Sequence, residues 1–155
     1  MGMLLQNVGP LIARLMLVPL FFYSGLAKLT NVGASAEKMA GIVNASLHLP
    51  LANDALVWRV LIAAAGGIEW IGALLLLLGL RTRLGSMLLF FYLIPVTLLL
   101  HGLPWLHALT PLAAASQAVS ILKNLALMAG LLMMAAFGPG KPSFDEPINQ
   151  ELLQR

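Results

Sequence analysis

Five side chains that can ionise, carry a proton or hold a ligand oxygen lie within otherwise apolar stretches: Arg14, Glu69, His101 and the adjacent pair Lys123 and Asn124. Hydrocarbon penalises such groups heavily, so each calls for a partner or a use. Glu69 has the chemistry to accept and release a proton. Lys123, Asn124 and His101, joined by Gln117 and Lys28, can hydrogen-bond a carbonyl or an anionic oxygen. The sequence contains no cysteine. A thiol relay, a disulfide, an iron–sulfur cluster and a thiolate-held metal are therefore excluded within this chain. No metal site and no covalently attached cofactor are expected, so redox chemistry would need a bound cofactor or a partner.

The elements that must position these groups follow from composition. With 155 residues, 60% hydrophobic and 10% charged, and a mean hydropathy of +0.92, the chain cannot present an ordinary water-facing surface. Four apolar stretches run roughly over 8–27, 55–79, 84–103 and 112–137. Each reaches the approximately 20 residues needed to cross a bilayer as a helix. Their uniform apolarity lacks the alternation of a membrane barrel. The expected fold is all-α, an integral membrane four-helix bundle. No Lys or Arg precedes the first stretch, so it reads as a true span and not as a secretory signal. Residues 138–155 form a short tail.

Basic residues near the span ends set the topology. Arg81 and Arg83 occupy the short second loop, Lys141 and Arg155 the tail, and the third loop, Pro104 to Pro111, carries none. Both termini are expected in the cytoplasm, although Lys28, Lys38 and Arg59 around the first loop oppose this. The net charge of +3 is dispersed near the membrane and does not suggest nucleic acid.

Spacing assigns faces. Glu69 is flanked at three and four residues by Ala65, Gly66, Gly72 and Ala73, the small residues that allow close helix approach, so its carboxylate points inward. The fourth span carries Ser116, Gln117, Ser120, Lys123 and Asn124 as a polar stripe. Arg14, Phe21 and Lys28 lie a heptad apart on the first span, with Ser24 and Gly25 on that side. Thr97 lies one turn from His101. Measured from the cytoplasmic side at about 1.5 Å per residue, Arg14 lies roughly 9 Å in, Glu69 roughly 15 Å and Lys123 roughly 21 Å. These depths gather Arg14, Glu69 and Lys123 into one charge network, with His101 and Gln117 in a shallower outer group. Pro95 is expected to break the third helix locally. The network reads either as a structural ion cluster fixing helix register or as the lining of a pocket, with two deep bases against one acid.

In the first loop, about Thr30 to Asp54, Met39, Ile42, Val43 and Leu47 recur at helical spacing. They predict a short amphipathic helix on the outer surface, able to roof the bundle. Ser35 and Lys38 match a Ser-x-x-Lys spacing without its companion motifs, and Asn44-Ala45-Ser46 is a short sequon of little weight.

The run Phe21-Phe22-Tyr23-Ser24-Gly25-Leu26-Ala27-Lys28-Leu29 is one of several that carry a resemblance. The others are Glu69 with Gly72, Gly79-Leu80-Arg81-Thr82-Arg83, His101, Lys123-Asn124, and Gly138-Pro139-Gly140 with Ser143 and Asp145. Together, in order and spacing, they resemble the DoxX family. The resemblance implies a small four-helix protein of the bacterial inner membrane, and for some relatives a membrane subunit of a quinone-linked redox enzyme. By that resemblance, His101 or Lys123 would bond a quinone carbonyl, Asn124 would orient it, and Glu69 would move a proton, with a partner enzyme supplying the remaining chemistry. Two alternatives stand beside it. One is a non-catalytic membrane adaptor that docks an enzyme through the tail, where a helix after Pro147 is expected. The other is an oligomeric transporter of a small solute, since four helices alone make a narrow passage. Gly66, Gly67 and Gly72 would also suit a homo-oligomeric contact.

Overall fold

A computed structural model of the chain describes residues 2–48, 52–53 and 55–145. Its elements are α1 (Gly2–Thr30), α2 (Val32–Leu47), α3 (Leu56–Leu78), α4 (Thr82–Thr97), a π-helical turn (Leu98–Gly102), α5 (Leu103–Leu106) and α6 (Pro111–Phe137). Four segments are long and apolar enough to cross a membrane: Val8–Thr30, Leu56–Leu78, Thr82–Leu106 and Pro111–Phe137. The protein is thus the all-α membrane four-helix bundle that composition demands. The third span is α4, the π turn and α5 in succession.

Local chemistry sets the ends of these helices. Gly79 closes α3 in the left-handed region at φ 64°, its N–H reaching the carbonyls of Leu75 and Leu76, a backbone state glycine adopts without strain. Thr110 caps α6 by accepting from the Ala113 N–H at 3.2 Å, and Pro111 follows at the first helical position. The third span departs from expectation twice. The helix passes through Pro95 without ending, and the irregularity comes one turn later, where the Leu103 N–H reaches back to the Leu98 carbonyl. Pro104 and Trp105 belong to α5 and not to the loop, because proline at the start of a helical turn sacrifices no hydrogen bond there.

The first loop is more structured than its sequence suggests. A single residue, Asn31, separates α1 from α2. Ala36, Ala40 and Val43 of α2 are buried against Trp58 and Ile62 of α3, with Leu100 of the π turn alongside. Small alanines do the burying, while Leu47, expected on that face, is 43% exposed.

The helices form an open series: α1 packs along α3, α3 along α4 and α4 along α6, whereas α1 and α6 meet only briefly. Glycines set the closest approaches. A Cβ on Gly25 would stand 3.0 Å from the Gly66 carbonyl, and one on Gly72 would stand 2.6 Å from Leu89 Cγ. Between the ends, Leu17, Val18, Phe21, Ala73, Leu76, Leu89 and Leu131 make an apolar core. Polar groups collect on either side of this core, in one compartment toward the α2 end and another toward the tail end.

At the tail end, the described part of the tail folds back on the α3–α4 turn. The Asp145 N–H donates to the Gly79 carbonyl at 3.0 Å. The Asp145 carboxylate accepts from the backbone N–H groups of Arg81 and Thr82, the latter at 2.9 Å, and so caps α4. The docking helix expected after Pro147 lies outside the described residues.

Candidate functional site

The carboxylate of Glu69 is the hub of the α2-end compartment. Gly25 and Gly66 let α1 and α3 approach until Glu69 stands beside Ser24 and Lys28. Lys28 Nζ donates to Glu69 Oε2 at 2.7 Å and to Ser24 Oγ at 2.6 Å. Ser24 Oγ–H donates to Glu69 Oε1 at 3.2 Å, and Tyr92 O–H from α4 donates to the same oxygen at 2.9 Å. Three donors from two neighbouring helices satisfy one carboxylate that is 4% exposed. Such charge-assisted bonds are what allow an ionised group to stay in an apolar bundle.

Arg14 lies elsewhere. It is buried at the tail end, where Nη2 donates to the Pro142 carbonyl at 2.9 Å. Nη1 is so close to Gly79 that a Cβ there would fall 2.1 Å from it. The apolar core separates it from Glu69. The grouping of Arg14, Glu69 and Lys123 into one network is therefore replaced by a Lys28–Glu69 pair and a separate Arg14 site. Depth along single helices misjudged the register, which the Gly25–Gly66 contact sets.

A cavity of about 610 Å³ opens beside the Glu69 cluster. Lys28, Glu69 and Tyr92 line it together with His101, Lys123 and Asn124, and Leu20, Phe21, Val96, Leu100 and Leu127 supply its apolar wall. His101 sits on the π turn with Nδ1 hydrogen-bonded to Gln117 Oε1 at 2.9 Å, and in the tautomer that carries its proton on Nδ1 the Nε2 atom is an acceptor. π-helical turns of this kind recur at functional sites. Asn124 is buried and donates from Nδ2 to Thr97 Oγ1 at 3.0 Å, and Thr97 donates in turn to the Leu93 carbonyl at 2.6 Å. Its carboxamide oxygen has no partner among the described residues. Lys123 is exposed at the rim between α6 and α1 and likewise pairs with none of them.

Five sequence candidates, Lys28, Glu69, His101, Lys123 and Asn124, thus converge on one cavity, with Gln117 holding His101 from behind. Lys28 and Lys123 against Glu69 leave one net positive charge. Tyr92 is the functional group the sequence reading missed. A phenol near the middle of a span, away from the interfaces where tyrosine is favoured, was the signal available.

Two other hollows are less suited to a polar ligand. A groove of about 570 Å³ at the tail end is lined by Gly9, Pro10, Ala13, Gly130, Met133 and Met134 with Phe137 and Gly138, none of which offers a polar side chain. One of about 330 Å³ lies against Arg14 and the tail. Among the described residues, no group of three or more His, Cys, Asp or Glu side chains is placed to hold a metal ion.

A four-helix membrane bundle with a ligand-sized polar pocket on one side of its core is the class this architecture defines. The chain belongs to the DoxX family, whose model matches residues 9–102. It is 26% identical over 147 residues, covering 95% of this chain and 97% of the relative, to the inner membrane protein YqjF of Escherichia coli strain K12. No solved structure matches the chain. The family match spans Lys28, Glu69, Tyr92 and His101. It ends before α6, so the wall carrying Gln117, Lys123 and Asn124 lies outside the matched region.

Proposed function

We propose that this protein is a multi-pass inner-membrane subunit of a redox system that binds a quinone, or a lipophile of similar head chemistry, in the α2-end pocket and works with a partner enzyme. The observation that carries this reading is the cavity, in which Lys123, His101 and Asn124 face an apolar wall beside a fully satisfied Glu69. A flat carbonyl-bearing head can be held by a Lys123 or Lys28 N–H, while His101 Nε2 and the Asn124 oxygen accept from a reduced hydroxyl. Quinone reduction consumes protons as well as electrons. Tyr92 and Lys28, both bonded to Glu69 and both lining the cavity, are the groups that would pass a proton between Glu69 and the ligand. Electrons would come from the partner, because this chain offers no thiol for redox chemistry.

The named relative supports inner-membrane residence, and the family supports membership of this architecture. Both termini on the cytoplasmic face remain the orientation favoured by Arg81, Arg83 and Lys141. The uninterrupted apolar core between the two polar compartments favours a pocket over a through-passage for solute.

The test is quinone retention. Protein purified in mild detergent should carry extractable quinone and gain thermal stability on addition of a neutral quinone. The double variant His101→Phe with Asn124→Leu should lose both. Absence of bound quinone and of stabilisation in the unaltered protein would overturn the reading.

A further inference from the structure

Lys123 has no counter-charge of its own, and its position limits what can provide one. It lies near the middle of α6, about 18 Å along from Pro111 at roughly 1.5 Å per residue. A lysine charge at the centre of a membrane helix is costly unless it is paired. Among the described residues, the acid within the four membrane-crossing helices is Glu69. That carboxylate already accepts from Lys28, Ser24 and Tyr92. No carboxylate of the described membrane-crossing helices is therefore left to neutralise Lys123, and an anionic ligand in the cavity can.

The route to Lys123 is equally constrained. Midway along α1 the two helices touch, with Leu17, Leu131 and Met134 in one cluster and Leu17 Cδ1 at 3.9 Å from the place of a Gly130 Cβ, and the apolar groove on the tail side of this contact does not reach Lys123. Toward the α2 end they part. The cavity lies between them, and on its α1 lip Tyr23 is 77% exposed and Leu20 is exposed. A molecule dissolved in the acyl phase can slide sideways through this gap, its head reaching Lys123 while its chain stays along Leu20 and Leu127. A free inorganic anion has no such path through hydrocarbon. The phosphate of a two-chain phospholipid is held at headgroup level, roughly 15 Å from the bilayer centre.

We infer that the pocket selects a single-chain lipophile whose head is ionised at oxygen, a carboxylate or an acidic ring hydroxyl, and that Lys123 is the residue that discriminates it from its neutral counterpart. The inference rests on the reading of this cavity as a lipophile site and specifies the ligand's charge. His101 Nε2 and the Asn124 oxygen do not favour an anion directly. They suit a second, protonated oxygen on the same head, such as a ring hydroxyl. Lys123 alone supplies the charge preference, since Lys28 is committed to Glu69.

Two matched pairs of probes test this in an uncharged detergent at neutral pH: oleate against methyl oleate, and an alkylated 2-hydroxy-1,4-naphthoquinone against its methyl ether. Equilibrium binding is measured on the full chain, on Lys123→Met and on Lys123→Arg, each checked for an unchanged melting temperature. The unaltered protein should bind the ionised member of at least one pair about tenfold more tightly than its neutral partner. Lys123→Met should abolish that preference and Lys123→Arg should keep it. The pair showing the preference identifies the head as carboxylate or ring hydroxyl. Equal binding of both members of each pair, or a preference that survives in Lys123→Met, overturns the charge inference while leaving the pocket reading standing. No binding of any probe to the unaltered protein overturns both.

Discussion

Lys28 Nζ lies 2.7 Å from Glu69 Oε2, and this pair joins α1 to α3 inside the membrane bundle. The side chains are 21% and 6% exposed, so both charges are largely removed from solvent. Removing one partner of a buried pair costs about 3–5 kcal/mol, because the other charge is stranded. The partial exposure of Lys28 places Lys28→Met toward the lower end of that range. Unfolding in mixed detergent should show Lys28→Met and Glu69→Leu each destabilised. The double variant should be more stable than the sum of the two predicts. Strict additivity would mean that the contact contributes nothing specific.

The glycines of α3 separate into two kinds. A Cβ on Gly72 would meet Leu89 at 2.6 Å, whereas one on Gly67 would meet nothing within 4 Å. Gly72→Ala should push α3 from α4 and lower stability by about 1–3 kcal/mol, as overpacking does. Gly67→Ala should be neutral, or gain up to about 1 kcal/mol from helix propensity. Thermal melts of the two variants side by side check the contrast, and an equal loss in both would show that Gly67 serves a contact outside the chain.

How much of this was legible in the sequence is clearest at Glu69. Its flanking Gly66, Gly72 and Ala73 announced an inward carboxylate correctly, since helical period alone decides which side of a helix a residue occupies. The partner was not legible. Depth along a single helix depends on where its span begins, which points to Arg14 only for a span starting at residue 8, whereas α1 runs from Gly2 to Thr30. Register between helices is a property of the contact, here Gly25 on Gly66, and no single-helix pattern contains it. Tyr92 and the π turn bearing His101 were hidden for a similar reason, as both depend on how α4 meets α3 and α6. In α2 the hydrophobic pattern singled out Val43, which is buried, but not Ala36 and Ala40, which are too small to stand out beside Met39, Ile42 and Leu47 at the margin of that face.

Gly79 is required twice over at the tail end. Its φ of 64° is strained for any residue with a side chain, and an added Cβ would fall 2.1 Å from Arg14 Nη1 and 2.7 Å from Ser143 Cβ. Gly79→Ala should cost about 1–2 kcal/mol from the backbone alone, and should displace the tail from the α3–α4 turn. Limited proteolysis near Ser143 should quicken in the variant. Unchanged cleavage would show that the tail does not depend on this fit.

Asp145 should behave as a helix cap supplied from a distance. Its carboxylate receives the N–H groups of Arg81 and Thr82, so Asp145→Ala should cost about 0.5–2 kcal/mol, and Asp145→Asn should retain much of the loss. Hydrogen exchange at Arg81 and Thr82 is the direct readout. Faster exchange in the alanine variant is expected, and protection equal to that of the unaltered protein would contradict the cap.

On the proposed reading, the cavity between α1 and α6 at the α2 end, and not the apolar groove at the tail end, holds the lipophilic ligand. Photolabelling with a diazirine-bearing quinone, followed by peptide mapping, addresses it most directly. Saturable labelling is expected at Leu20, Tyr23 and Leu127, suppressed by excess unlabelled quinone and weakened in His101→Phe with Asn124→Leu. Labelling confined to Met133 and Phe137, or labelling everywhere that unlabelled quinone does not suppress, would contradict it.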